Sequence, residues 1–425
     1  MLDEGERDAT VRDRDAGTHD PESIVRRKYK KCHVCNRTVT ALLASDWLRP
    51  MDDEIWPPMT DSVLWPLDPH TAAKHRVLRS YLDGWLPVMG HQAQRVGDDR
   101  PRLLLVDGFA GPGRYATGEP GSPLIMLDAL CSHKSLGELA DVQFIFLFIE
   151  QDKGRVEHLR REVSELDDLP DNVSVDIQHG EFESTFSSVI DPIIEQGAHL
   201  IPTFAFIDPF GYSSASMSIT GRLLDFPRCE TLFFLPMSFI HRFVGRDGQE
   251  AALTSLFGTD EWRAAIPLQG EERTAYLLSL FERQLERSEG VAYVRSFQLR
   301  TQDGQDYRLV FSLGHLKGLE IAKNAMWSVD PVAGTTYTAT TESGQEVLFD
   351  PDETVETAPL LAELRWRFGT EWFSIDEADQ CTVVDTPFRK AHLRRLTLQP
   401  AEQAGKLEVQ RPGRGFKNAR MRFRS

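Results

Sequence analysis

The sequence predicts an α/β protein built on a doubly wound, mostly parallel sheet, and three observations carry that prediction. Apolar runs at 103–106, 142–149 and 203–207 each stop at a carboxylate, respectively Asp107, Glu150 and Asp208. Runs that are apolar throughout suit strands covered on both faces, which is how parallel sheets are buried. Stretches of helical period lie between these runs, and two later strands, at 291–294 and 307–311, flank Asp303-Gly304 as an antiparallel hairpin.

The chain opens with an acidic segment, to about residue 25, that is poor in large apolar side chains and is expected to be disordered. A basic run at 26–31 leads into Cys32-His33-Val34-Cys35. Two cysteines are half of a zinc set, and Cys131, Cys229 and Cys381 fall in segments assigned to the core or the far domain. No metal is therefore expected, unless two chains share an ion or His70 and His75 fold back. Residues about 50–70 read as a linker bearing proline and tryptophan. Asp68 and Pro69 then begin a helix whose Leu78, Tyr81 or Leu82, Trp85 and Met89 form one apolar face.

The first strand, 103–106, runs into Asp107-Gly108-Phe109-Ala110-Gly111-Pro112-Gly113. Gly111 and Gly113 allow a tight turn and close approach to bare backbone, and Asp107 can accept from an amine or a hydroxyl, which suits a nucleotide-like ligand. The loop has neither the lysine of a P-loop nor a complete GxGxxG turn. The next helix is delayed, with Ser122 as its cap and Pro123 at its first position. The intervening loop from Arg114 to Gly121 either folds over the ligand or is a surface excursion.

The second strand ends in Glu150, which either binds ribose hydroxyls at the carboxyl ends of the strands or caps the helix opened by Gln151-Asp152-Lys153. A third strand at 173–179 alternates, as a strand nearer the sheet edge does, and is followed by Gly180 and Glu181. The fourth ends in Asp208-Pro209-Phe210-Gly211-Tyr212, which sets a carboxylate and an aromatic face at the crevice mouth or simply makes a turn. A fifth strand lies at 231–235.

Beyond residue 350 the pattern changes. Residues 360–367 are helical in period, 386–403 form a second helix carrying Arg389, Lys390, Arg394 and Arg395, and a basic hairpin turns at 411–415 with Arg414 at its tip. Helix, hairpin and wing in that order resemble a winged helix-turn-helix, whose second helix can enter a major groove. From Arg389 to the end there are eleven Lys or Arg against two acids, in a chain of net charge −17. Contact with nucleic acid is expected to concentrate there; docking of a protein is the other reading.

At 425 residues and 41% apolar content the chain can bury a full core. The expected units are 1–60, an acidic tail with the CxxC segment; 61–350, the α/β domain; and 351–425, the winged module. No run approaches the ~18 apolar residues of a membrane span, the first residues are acidic, and five cysteines do not suit a disulfide framework. A cytoplasmic protein is expected.

The Phe109-Ala110-Gly111-Pro112-Gly113 turn resembles the loop of class I methyltransferases that use S-adenosylmethionine (SAM). That likeness implies a Rossmann-like sheet with SAM as cofactor, held by Asp107, Phe109, Ala110, Gly111, Gly113, Glu150, Gly180 and Glu181, with Arg114 near the methionine carboxylate. The 208–212 segment resembles the Asp-Pro-Pro-Tyr motif of amine methyltransferases, with Phe210 and Gly211 as departures. The stacking aromatic would be Phe210 or Tyr212, or the target is not an amine. The combination of 109–115, Gly121-Ser122-Pro123, 148–150, 206–211, Lys317-Gly318-Leu319-Glu320 and Ala325-Met326-Trp327, with Trp65, Lys74 and His75, resembles the three-Cys-motif partner (TcmP) family over about residues 60–425. This resemblance implies a radical-SAM-like partner with a three-cysteine motif and adds Lys74 and His75 to the candidate substrate-binding residues. Two functions follow: a SAM-dependent methyltransferase acting on nucleic acid, or a noncatalytic SAM- or nucleoside-binding adaptor that delivers nucleic acid to that partner.

Overall fold

The computed structural model describes residues 63–64, 66–95, 101–166, 169–338 and 355–424. The expectations for residues 1–60, including Cys32 and Cys35, and for Trp65 lie outside the described residues. Helix α1 (Pro69–Arg95) precedes β1 (Arg102–Asp107), α2 (Ser122–Cys131), β2 (Gln143–Glu150), α3 (Lys153–Ser164), β3 (Val173–His179), α4 (Phe182–Glu195), β4 (Thr203–Ile207), α5 (Met217–Leu224) and β5 (Cys229–Leu235). Helices α6 (Met237–Phe243), α7 (Glu250–Phe257) and α8 (Gly270–Leu285) follow, then β6 (Tyr293–Arg300), β7 (Asp306–Leu313), α9 (Leu316–Trp327) and β8 (Thr336–Thr338).

The sheet order is β3-β2-β1-β4-β5-β7-β6-β8. Neighbours are parallel from β3 through β5, and β7 runs antiparallel to both β5 and β6. The chain winds outward from β1 to β3 and then restarts on the other side of β1 with β4. Strand order therefore reverses between β1 and β4, which opens a crevice at their carboxyl ends. Both faces are covered: Leu232 and Phe234 join the core beneath α1, whereas Phe233 between them packs edge-on against Phe281 of α8. Leu78, Tyr81, Leu82, Trp85 and Met89 of α1 are all buried there. Tyr81 and Trp85 both donate to the buried Glu230 carboxylate, at 2.6 and 2.8 Å, which satisfies the polar tips of two large core side chains.

Two local expectations change in the sheet domain. Ser122 is the first residue of α2 rather than its cap; Gly121 holds the cap position, and the Ser122 side chain turns to Asp107 instead. The hairpin's first strand is 293–300, longer and later than 291–294, because it pairs residue for residue with β7. The stretch 237–285 forms helices that single apolar runs did not announce.

The carboxyl-terminal residues make α10 (Ala358–Phe368), β9 (Phe373–Ser374), α11 (Ile375–Asp385), α12 (Lys390–His392), a π turn at Leu393–Leu398, α13 (Gln399–Gln403), β10 (Leu407–Gln410) and β11 (Arg420–Phe423). The three strands pair antiparallel as β10-β11-β9 around a separate apolar cluster. The helix expected over 386–403 starts at Lys390 and runs through the π turn to Gln403, and ahead of it lies α11, which a capping box of Ser374 and Glu377 starts and Thr386 ends. The Lys323 Nζ of α9 donates to the carbonyls of Thr382, Val383 and Thr386 at 2.8 to 2.9 Å, so α11 docks on the sheet domain through its carboxyl end. Among the described residues no helix is long and apolar enough to cross a membrane.

Candidate active site at the reversal of strand order

The turn after β1 is stitched to both neighbouring strands. Gly108 N–H donates to Phe206 O at 3.0 Å, Ala110 N–H to Ile149 O at 2.9 Å and Gly111 N–H to Glu150 Oε2 at 2.9 Å. Gly111 and Gly113 have φ of +64° and +86°. The positive φ favours glycine at 113, and a Cβ there would stand 2.7 Å from Leu159 Cδ1 of α3 and push that methyl aside. Asp107 is buried, accepts from Phe109 N–H at 3.1 Å, and leaves Oδ2 without a hydrogen-bond partner. Burial pushes its carboxyl up to about 7, with Asp208 adding to the shift and Ser122, Phe109 N–H and Lys74 opposing it.

A cavity of about 610 Å³ opens beside this turn, between the start of α1, residues 109–115, the 208–210 turn, Phe234 and the β6–β7 connection. Lys74 and Asp208 meet within it, Nζ donating to Oδ2 at 2.5 Å. The ammonium also sits 4.5 Å over the Phe234 ring. Phe234 stacks on Tyr307, and Tyr307 on His70, at 5.0 Å each, giving one wall of parallel rings. Asp68, Asp208 and Asp303 line the space along with Lys74, Arg114 and Arg155, and Asp107 is buried behind. Burial, reinforced by Asp208, Asp107 and Asp68, pushes the Tyr115 phenol far up, and burial with Asp303 and Asp68 pushes Tyr307 up to about 12. Burial, with Lys74 adding to it, lowers His70 and lowers His75 still further, which favours the neutral form of each ring.

Of the expected residues, Phe109, Ala110, Gly111, Gly113, Arg114, Lys74, Asp208, Pro209 and Phe210 line the cavity. Others lie elsewhere. Glu150 is spent on backbone, accepting from Gly111 at 2.9 Å and Asp152 at 2.8 Å, with Arg155 3.8 Å away. Gly180 donates its N–H to Glu150 O at 3.0 Å, and Glu181 is exposed at the cap position of α4; neither lines the cavity. The Arg114 guanidinium, expected near a ligand carboxylate, instead pairs with Glu162 at 2.7 Å and with Gly118 O. Tyr212 is turned away, its hydroxyl on Gln249 and its ring against Phe243, because Gly211 at φ +92° redirects the chain. That leaves Phe210 as the aromatic at the mouth, with the Arg155 guanidinium 5.3 Å from its ring centre. His75 packs beside Tyr115 rather than facing the cavity lining. Tyr115, Phe234, Tyr307 and Asp303 escaped the sequence reading; only the acid in the Asp303-Gly304 turn gave a signal.

No family model matches the chain, and no curated protein does either. Among solved structures it is similar to a candidate methyltransferase from Porphyromonas gingivalis W83, at 14% identity over 53% of this chain and 41% of that one, with a TM-score of 0.24. It is also similar to the CMeT domain of the citrinin polyketide synthase, at 15% over 50% and 46%, TM-score 0.27. A SAM-dependent methyltransferase from Methanosarcina mazei gives 11% over 51% and 93%, TM-score 0.23. The chain thus spans less than half the length of the first two. The fold of this chain is defined by its own strand order and direction.

The basic carboxyl-terminal residues divide. Arg394 pairs with Asp379 at 2.6 Å, Lys390 bridges Glu320 and Asp379 at 3.2 and 3.5 Å, and Arg389 lies against His392 and Trp327. Arg395 and Arg414 are exposed and, among the described residues, form no ion pair. Among the described residues no group of three His, Cys, Asp or Glu could hold a metal.

Proposed function

We propose that this chain is a SAM-dependent methyltransferase acting on nucleic acid. The observation that carries the reading is the glycine turn at the β1–β4 reversal, opening onto a cavity whose far side presents Asp208. The lining fits the donor, since aromatic rings with carboxylates suit a sulfonium cation, and Asp107, buried behind the lining, keeps an oxygen without a partner. Gly111, Gly113 and Phe109 would hold it, and when bound it supplies an electrophilic methyl group. Asp208 then orients the acceptor and takes its proton, so alignment and one base account for most of the rate. The helix–strand–helix–helix–hairpin order of residues 358–423 supports a winged helix, with Arg395 and Arg414 free to meet phosphate. A three-Cys-motif partner rests on the resemblance of the motif set.

The adaptor reading draws on Glu150, whose two oxygens already hold backbone N–H groups. Transfer of labelled methyl from SAM to RNA or DNA decides between the two. The enzyme reading expects transfer that falls about a hundredfold or more in Asp208→Asn with SAM affinity retained. Binding of SAM without transfer to any nucleic acid would overturn it in favour of the adaptor.

A further inference from the structure

Building on the methyltransferase reading, we infer that the methyl acceptor is a hydroxyl oxygen rather than an amine, namely the ribose 2′-hydroxyl of RNA, and that Lys74 is a catalytic residue beside Asp208. Lys74 is buried on α1, yet its Nζ lines the cavity, donating at 2.5 Å to Asp208 Oδ2 and held 4.5 Å above Phe234. Asp208 is the carboxylate that strand order places at the mouth of the crevice. The ammonium occupies Oδ2, and among the described residues Oδ1 has no partner.

This pair favours oxygen on charge grounds. An amine gains positive charge as it attacks a methyl group, and a fixed ammonium beside it raises the cost. A hydroxyl must shed its proton and develops negative charge on oxygen, which the same ammonium stabilises in a site lined by rings. The acceptor oxygen forms the new C–O bond as the methyl carbon's bond to sulfur breaks. Sulfur keeps that electron pair and leaves as a neutral thioether, while the hydroxyl proton passes to Asp208 Oδ1 and later to water. Lys74 keeps its protons throughout. DNA lacks the 2′-hydroxyl, so RNA is the polymer that meets this chemistry.

The experiment incubates the full chain with methyl-labelled SAM and total RNA, in parallel with DNA, and digests the products. A methyl on the 2′-oxygen blocks alkaline cleavage of the neighbouring phosphodiester, so label in alkali-stable dinucleotides supports the inference. Label on a base nitrogen, or equal labelling of DNA, overturns it while leaving the methyltransferase reading standing. No label in either polymer overturns both. Lys74→Met is expected to lower kcat about a hundredfold with calorimetric SAM affinity within about threefold, and Lys74→Arg, which keeps a cation on Asp208, to recover part of the loss. Should Lys74→Met retain full kcat, or lose SAM binding along with activity in both variants, the catalytic role is wrong.

Discussion

Glu150 accepts the Gly111 N–H at 2.9 Å with one oxygen and the Asp152 N–H at 2.8 Å with the other, so one buried carboxylate ties the turn after β1 to the end of β2. Replacing it with alanine leaves two N–H groups without their acceptor. The Gly111 N–H is buried and Asp152 is exposed, so at about 1–3 kcal/mol for one buried, unpaired group, Glu150→Ala should lower the melting temperature and weaken SAM binding together. Glu150→Gln keeps an acceptor oxygen and should lose less in both calorimetry and thermal melting.

Glycine is required to different degrees around the cavity. Gly113 combines φ of +86° with a neighbour 2.7 Å from any Cβ, whereas Gly118 has φ of +99° and open space. Gly118→Ala should therefore cost only the backbone strain of roughly 1–2 kcal/mol, and Gly113→Ala distinctly more. Any side chain at position 111, where φ is +64°, would carry strain as well, so a bulky substitution there perturbs folding as well as ligand space. Urea unfolding of the alanine variants checks the order.

Asp107 predicts a pH dependence. Its carboxyl rises from 3.8 to about 7 on folding, chiefly through burial. Between those values the folded chain keeps a proton that the unfolded chain has lost, so this group's stability contribution is full below about 4 and is lost as pH rises through about 7. Asp107→Asn should flatten that part of the profile, read from denaturant midpoints without SAM. An unchanged slope in the variant would mean the proton is held elsewhere.

Nucleic-acid contact should follow the free cations. Arg395 and Arg414 are exposed, whereas Arg394 is tied to Asp379 at 2.6 Å. Replacing Arg395 and Arg414 together should reduce the salt dependence of RNA binding by about two units of slope, with stability unchanged. Arg394→Ala should instead act mainly on stability, because it leaves the Asp379 carboxylate without its 2.6 Å partner. Titrations across a salt series separate the two effects.

Much of this protein is legible in its sequence. The strands at 103–106, 142–149, 173–179, 203–207 and 231–235 announce themselves because continuous apolarity and turn chemistry are local properties of the chain. The acids that end three of them, and the glycines after the first, were visible for the same reason. The late hairpin showed in its Asp303-Gly304 turn, though its first strand did not show its full length.

Other features arose from contact between distant segments. Lys74 reaches Asp208 across 134 positions; its place one turn before Leu78 puts it on the apolar face of α1, but which charge it meets there is set by packing. Phe210 faces the cavity and Tyr212 does not, because one glycine with positive φ turns the chain between them. Arg394 looked like its neighbour Arg395 until Asp379 of the preceding helix was placed against it. Sequence determined the sheet and the acids at its strand ends, since those depend on neighbours along the chain; packing alone decided which charges pair and which stay free, since that depends on neighbours in space.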